Sequence, residues 1–491
     1  MRQIVNRKQI TPEGGPVLLR GGLIIDGTGA PRYGADLRLH GGRIEEVGVN
    51  LAARGEYEID VAGRVVAPGF IDVHAHDDQM VLASPGMLPK ISQGVTTVVV
   101  GNCGISLAPL VSAKVPPPLN LLGGNDKHVY PTMEAYARAV DAARPAVNVA
   151  ALVGHSTLRV ATMADPYRAA SAAEQARMVE LIREAMTAGA AGLSTGVFYA
   201  PGAAADIAEV VMLARVAADA GGVYSTHIRD EGQKVIESLD EAFTAALQAG
   251  IPVVISHHKC AGPTNWGRSV ETLAHIKAAR AKQAIGLDAY PYAAGSTVLR
   301  PEAVDGVIDI MVSWSDPYSE MSGRMLADIA RDWKCTQIEA CNRLQPGGAI
   351  YFQMREDDVQ RVLKFEATMI GSDGLPHDRH PHPRLWGAFP RVLGHYARDL
   401  ALFPLEEAVH RMTGLSARQF NLNGRGEIAA GNVADLVVFD PESVIDRATF
   451  AAPTLLADGI DVVIVGGTIT YRHRQLTGNR AGRFLRRETR A

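Results

Sequence analysis

Residues 70–76 read FIDVHAH, a short apolar run that closes on two histidines one residue apart. Seven further runs of the same kind follow: TTVVVGNC (96–103), NVAALVGH (148–155), AGLSTG (191–196), GVYSTH (222–227), PVVISHH (252–258), AIGLDAY (284–290) and ATMIGSD (367–373). Each is short and β-branched, and longer stretches of helical periodicity such as AAEQARMVELIREAMTAG separate them. Eight consecutive strand-helix units predict a closed parallel (β/α)8 barrel. An open dinucleotide-binding sheet is disfavoured, because no glycine-rich fingerprint follows the first strand.

Outward from the barrel, VLLRGGLIIDGTG near the start and ADLVVFDP with IDVVIVGGTITYRHR near the end share an alternating strand-and-turn chemistry. Neither end holds enough strands for a core of its own. The expected division is therefore a β-sandwich module from residues 1–66 and 421–491, with a catalytic barrel over 67–420 inserted in it. Within the barrel, residues 293–352 break the alternation and carry Trp314, Pro317 and Trp333. An insertion that long on the C-terminal face reads as a lid.

Composition narrows the function classes. With 47% hydrophobic residues in 491, the chain can build one large core plus a smaller module. A formal charge of −4 leaves no basic excess for nucleic acid or an anionic membrane. The arginines at 474, 480, 483, 486, 487 and 490 read as a solvated terminus. MRQIVNRKQI lacks the apolar core of a secretory signal and no apolar stretch is long enough to span a bilayer, so a cytoplasmic protein is expected. Four scattered cysteines do not make a disulfide framework.

Nearly every predicted strand ends in a side chain that can bind metal or move a proton: His74 and His76, Cys103, His155, Ser194 with Thr195, His227, His257 with His258, Asp288 with Tyr290, and Asp373. Strand ends of a barrel converge on one mouth, so these residues become neighbours there. His74 and His76, at period two, face the same side and suit one ion. A Cys103 thiolate with His227 and one of His257 or His258 makes a three-ligand zinc set with an open fourth place, the arrangement of a catalytic zinc. Asp373 can serve as a ligand or as general base.

These residues resemble the D-aminoacylase (N-acyl-D-amino-acid deacylase) branch of the amidohydrolase superfamily, through GFIDVHAHDD, VVVGNCGIS, GHSTLR, GLSTGVFYAPG, YSTHIRDEG, ISHHK, YPY and GSDGLPHDRHPHPRLWG, in that order. The resemblance implies a tight zinc on Cys103, His227 and His257, and a weaker second metal position at His74, His76 and Asp373. It also implies Asp373 as proton carrier, Tyr199 as donor to the scissile carbonyl, and Lys259, Tyr290 and Arg384 as holders of a substrate carboxylate. The substrate implied is a small N-acyl-D-amino acid. Members that accept D-glutamate place an arginine where this chain has Ala303, so a neutral apolar side chain is expected, with Arg300 as the counter-indication. The rivals are an acidic D-amino acid, a cyclic amide opened on the same barrel, and a non-catalytic scaffold, which would be expected to have shed its metal ligands.

Overall fold

A computed structural model describes residues 15–123 and 128–488. Its eight predicted runs form one sheet of parallel neighbours: Phe70–Asp72, Val95–Val100, Asn148–Gly154, Gly192–Gly196, Val223–His227, Val253–Ile255, Ile285–Ala289 and Thr368–Ile370. The first and last meet through an isolated parallel bridge between Ala75 and Gly374, which closes the (β/α)8 barrel. The intervening helices carry local start and stop signals. Ser171 and Glu174 form a capping box ahead of Ala172–Thr187, Asp206 caps Ile207–Asp219, and Gly250 in the left-handed region ends Val235–Ala249.

Both ends of the chain contribute to a nine-stranded mixed sheet, in which Val65–Pro68 lies antiparallel to Leu436–Phe439. Its strands bury their own apolar set, including Leu19, Leu37, Val66, Leu436 and Ile464. The N-terminal stretch read for a leader, residues 1–10, lies outside the described residues. Among those described, no helix is long and apolar enough to cross a membrane.

The insertion after the seventh strand is an antiparallel three-stranded sheet, Gly295–Val298, Gly347–Tyr351 and Ile310–Ser315, backed by helices Leu326–Asp332 and Gln337–Arg343. It has a core of its own built on Val312, Leu326, Ile329 and Ile310. Of the C-terminal arginines expected to be solvated, Arg474, Arg483 and Arg486 are exposed, but the segment that carries the last two of them is not free. Residues 482–487 dock on the start of the third and fourth barrel strands: Leu485 N donates to Val149 O at 2.7 Å and Arg487 N to Gly189 O at 2.9 Å. Phe484 and Leu485 supply the apolar contact that a charged tail lacks, since Phe484 is buried and Leu485 packs on the barrel core. Arg490 lies outside the described residues.

Candidate active site

Three of the strand-end residues share a backbone property that side chains normally avoid. Cys103, His257 and Asp373 sit at φ of 52°, 36° and 49°, in the left-handed region that costs non-glycine residues energy and clusters where function over-determines geometry. Glycines make room for them. A Cβ on Gly104 would stand 2.5 Å from Gly196 N, and one on Gly196 would stand 2.1 Å from Cys103 O. The GNCG and STG sequences therefore let two strand ends close against each other around the thiol.

The turns bring six buried donors together. Cys103, His227 and His257 have ligand atoms within 4.8 Å of one another, as do His74, His76 and Cys103, and His74, His257 and Asp373. The Cys103 sulfur is 3.2 Å from His74 Nε2 and 3.4 Å from His257 Nε2. Asp373 Oδ1 is 3.2 Å from His76 Nε2. The imidazoles are oriented from behind: His74 Nδ1 faces Asp288 at 3.2 Å, and His257 Nδ1 faces Glu231 at 3.1 Å, leaving each Nε2 turned to the centre. Neither ring nitrogen of the buried His227 has a hydrogen-bond partner, nor does His76 Nδ1. Buried polar atoms are rarely left so. A soft thiolate, imidazoles and a carboxylate aimed at one another fit a divalent transition ion such as zinc.

Electrostatics agree with the geometry. Burial pushes the Cys103 thiol up, but His74 and His257, with His227, outweigh it and hold it well below its ordinary value, as thiolate. Burial likewise raises Asp373, and Arg384, His74 and His76 overcome it, so the carboxyl stays well below its usual range. Tyr199 is held as the phenol, raised first by burial and then by the nearby thiolate.

Five of the six, all but His74, floor a cavity of about 280 Å³ walled by Tyr199, Lys259, Tyr290, Arg300 and Tyr351. Ser296 and Thr297 of the insertion line it, and Tyr199 Oη lies 2.9 Å from Thr297 Oγ1. Lys259 donates to Glu231 at 2.5 Å and lies 5.8 Å from the centre of the Tyr290 ring. Arg384 is not on the cavity wall. It is fully buried behind Tyr290, its guanidinium 4.5 Å from that ring's centre, and pairs with Asp373 at 2.8 Å.

Several strand-end residues point elsewhere. His155 pairs with Glu209 at 2.7 Å, His258 with Thr272 at 2.8 Å, and Thr195 with Thr226 at 2.7 Å. Of the two adjacent histidines, only His257 joins the cluster. Sequence reading missed Glu231, which is signalled only by its place four residues after His227. It also missed Lys90, a lone cation in the apolar stretch MLPKI, whose Nζ is 2.7 Å from Asp72 Oδ2 and 2.6 Å from Ser372 Oγ.

Comparison with known proteins places this arrangement. The model of the amidohydrolase family matches residues 57–471. D-aminoacylase of Alcaligenes xylosoxydans xylosoxydans is 52% identical over 96% of this chain and 97% of its own. A structure of D-aminoacylase reported with a binuclear metal centre, in which one metal activates and the second attenuates, superposes with a TM-score of 0.94 at 52% identity, covering 97% of this chain and all of that one. N-acyl-D-glutamate deacylase of Bordetella bronchiseptica, solved with zinc and a phosphonate mimic of the tetrahedral intermediate, superposes at 0.93 with 48% identity, covering 96% of this chain and all of that one. With the family's pattern running through most of the sequence and a relative matched along nearly its whole length, this chain belongs to the amidohydrolase family.

Proposed function

We propose that this protein hydrolyses the amide bond of N-acyl-D-amino acids, releasing a carboxylic acid and a free D-amino acid. The observation that carries the reading is the convergence of Cys103, His227, His257, His76 and Asp373 on the floor of one cavity, with His74 clustered directly beneath them. Likeness to D-aminoacylase over nearly the whole chain supports the choice of substrate.

In this reading Cys103, His227 and His257 hold a tight zinc, and His74, His76 and Asp373 form a weaker second position. Zinc in such a site polarises a carbonyl and lowers the pKa of water toward about 7. Asp373, ionised and facing the cavity, takes a proton from the attacking water and returns it to the departing amine nitrogen as the C–N bond breaks. Tyr199, held as a phenol, donates to the oxygen of the tetrahedral intermediate. To do so it exchanges its contact with Thr297 for one with substrate. Lys259 and Tyr290 face the substrate carboxylate, with the Arg384 charge stacked directly behind Tyr290.

With the carbonyl and the carboxylate both anchored, the side chain on Cα can leave in only one direction for each enantiomer. We assign the D direction to the wall contributed by residues 293–352; the same cavity carries apolar surface from Ile105, Leu121 and Phe198. An acidic side chain is the second reading. Arg300 favours it, because it lines the cavity with Nε unpartnered, its guanidinium 4.5 Å from the centre of the Phe198 ring. Ala303, where an arginine would mark D-glutamate specificity, is partly buried and packs against the insertion's own core.

The test is paired assays with N-acetyl-D-leucine, N-acetyl-L-leucine and N-acetyl-D-glutamate, with bound zinc measured on the same sample. Preference for D-leucine over both others is expected. Equal rates on the two leucine enantiomers would overturn the stereochemical argument, and preference for D-glutamate would select the second reading.

A further inference from the structure

The end of the barrel opposite the site holds a concentration of positive charge that the deacylase chemistry does not use. Segment 482–487 crosses there, with Gly482 N donating to Pro145 O and Val149 N to Arg483 O, both at 2.9 Å. Beside it lie two cavities of about 660 and 320 Å³ that share Arg43, Arg425, Val433 and Arg483 in their walls. The three arginines arrive from separate parts of the chain: Arg43 opens a strand of the terminal sheet, Arg425 follows the last barrel helix, and Arg483 belongs to the docked segment. Asp141 and Glu488 line the larger cavity, Asp141 pairing with Arg486 at 3.1 Å, whereas no carboxylate lines the smaller one.

The charge balance there is incomplete. The side chain of Arg425 is only 7% exposed and pairs with Asp435. Asp435 also accepts from Asn148 at 3.0 Å and from Gly466 N at 2.7 Å. Arg43 donates to the carbonyl of Gly431 at 2.6 Å, which does not neutralise it. Among the described residues, neither Arg43 nor Arg483 has a carboxylate within ion-pairing distance. Burial, followed by repulsion from Arg483 and Arg43, lowers Arg425 from its ordinary value. At the smaller cavity the single carboxylate of Asp435 thus faces three guanidinium groups, and an anion there would relieve the excess.

We propose that the smaller cavity is a binding site for a small oxyanion of the phosphate class, free or carried on a metabolite. Three guanidinium forks reaching in from different parts of the fold suit a tetrahedral group with oxygens in several directions. A planar carboxylate presents two oxygens in one plane and is satisfied by a single fork. Because the ligand would touch the terminal sheet, the loop after the barrel and the docked segment together, it would tie these three parts to one another.

The test titrates the zinc-loaded wild-type protein and the Arg43→Gln/Arg483→Gln double variant with inorganic phosphate by calorimetry. Ionic strength is held constant with chloride, and sulfate and acetate are run in parallel. Both substituted side chains are exposed and distant from the deacylase site, so zinc content and basal activity should be unchanged. Expected is a wild-type Kd of about 1 mM or tighter, weakened about tenfold or more in the double variant as charge-assisted bonds are lost. Sulfate should compete and acetate should not. Equal phosphate binding by both proteins would place the anion elsewhere and overturn the proposal. So would acetate binding as tightly as phosphate, or no saturable binding to the wild type.

Discussion

The barrel wall and the barrel seam are built differently. In the wall, backbone ladders join the strands: the fourth and fifth pair over five consecutive residues, from Gly192 opposite Val223 to Gly196 opposite His227. At the seam the first and eighth strands share a single bridge, supported by Asp373 N donating to His74 O at 2.8 Å. Side chains make up the difference. Buried Lys90 spans Asp72 and Ser372, and Asp72 Oδ1 accepts from Ser372 N at 2.8 Å and from His74 N at 3.2 Å. His74 and His76 lie on one side of this joint and Asp373 on the other. In the wall, then, the fold and the site are separable, whereas at the seam the same contacts close the barrel and set the distance between candidate ligands.

The largest effect is expected from a wall residue that belongs to the cluster. Cys103→Ala should abolish stable zinc binding together with turnover, because two histidines are left to hold the ion. Metal content measured beside kcat checks it, and retention of both would remove Cys103 from the ligand set. Next comes the seam's own carboxylate. Asp373→Ala should keep the tight zinc yet lose about 10²–10⁴ in turnover, the usual contribution of a general base. A near-normal rate would move the proton transfers to another residue.

Lys90→Met sharpens the comparison itself. Removing the cation strands the buried Asp72 and Asp77 carboxylates, which should cost about 3–5 kcal/mol in denaturant unfolding. Turnover should fall as well, because the joint that spaces His74 from Asp373 loosens. If stability falls while kcat/KM holds, the seam is merely another piece of wall. The smallest effect is expected at His258, a wall residue whose ring bonds Thr272 outside the cluster. His258→Asn should cost about 1 kcal/mol, the scale of one neutral hydrogen bond, and leave zinc content unchanged. Loss of metal there would mean that the two adjacent histidines have been assigned the wrong way round.

This contrast also explains what could be read from the sequence. The eight strands were legible because each is a short β-branched run in a repeating alternation, and the ring of polar residues because a barrel gathers strand ends whatever lies between them. His155 shows the limit: it ends its run like the others, yet it begins helix His155–Thr162 and is drawn to Glu209. Lys90 and Glu231 were not legible. Their roles arise from contacts between segments with no local periodicity in common, as with Lys90 and Ser372, 282 residues apart. Arg384 was legible as a candidate, but its position behind Tyr290 depends on the packing of helix Arg384–Arg391. The docked C-terminal segment was misread because arginine content weighed more than Phe484 and Leu485.

The terminal sheet has a consequence for how the protein comes into being. Arg64, next to a strand from the first part of the chain, pairs with Asp461 at 2.7 Å across a separation of 397 residues. At ribosomal rates of about 5–20 residues per second, the early strands wait roughly 20–80 s for the partners that complete their sheet. During that interval Val65–Pro68 presents an apolar edge with nothing beside it on one side, the kind of surface on which nascent chains associate wrongly. Yield in a cell should therefore respond to elongation rate and to chaperone supply more strongly than the stability of the finished enzyme would suggest.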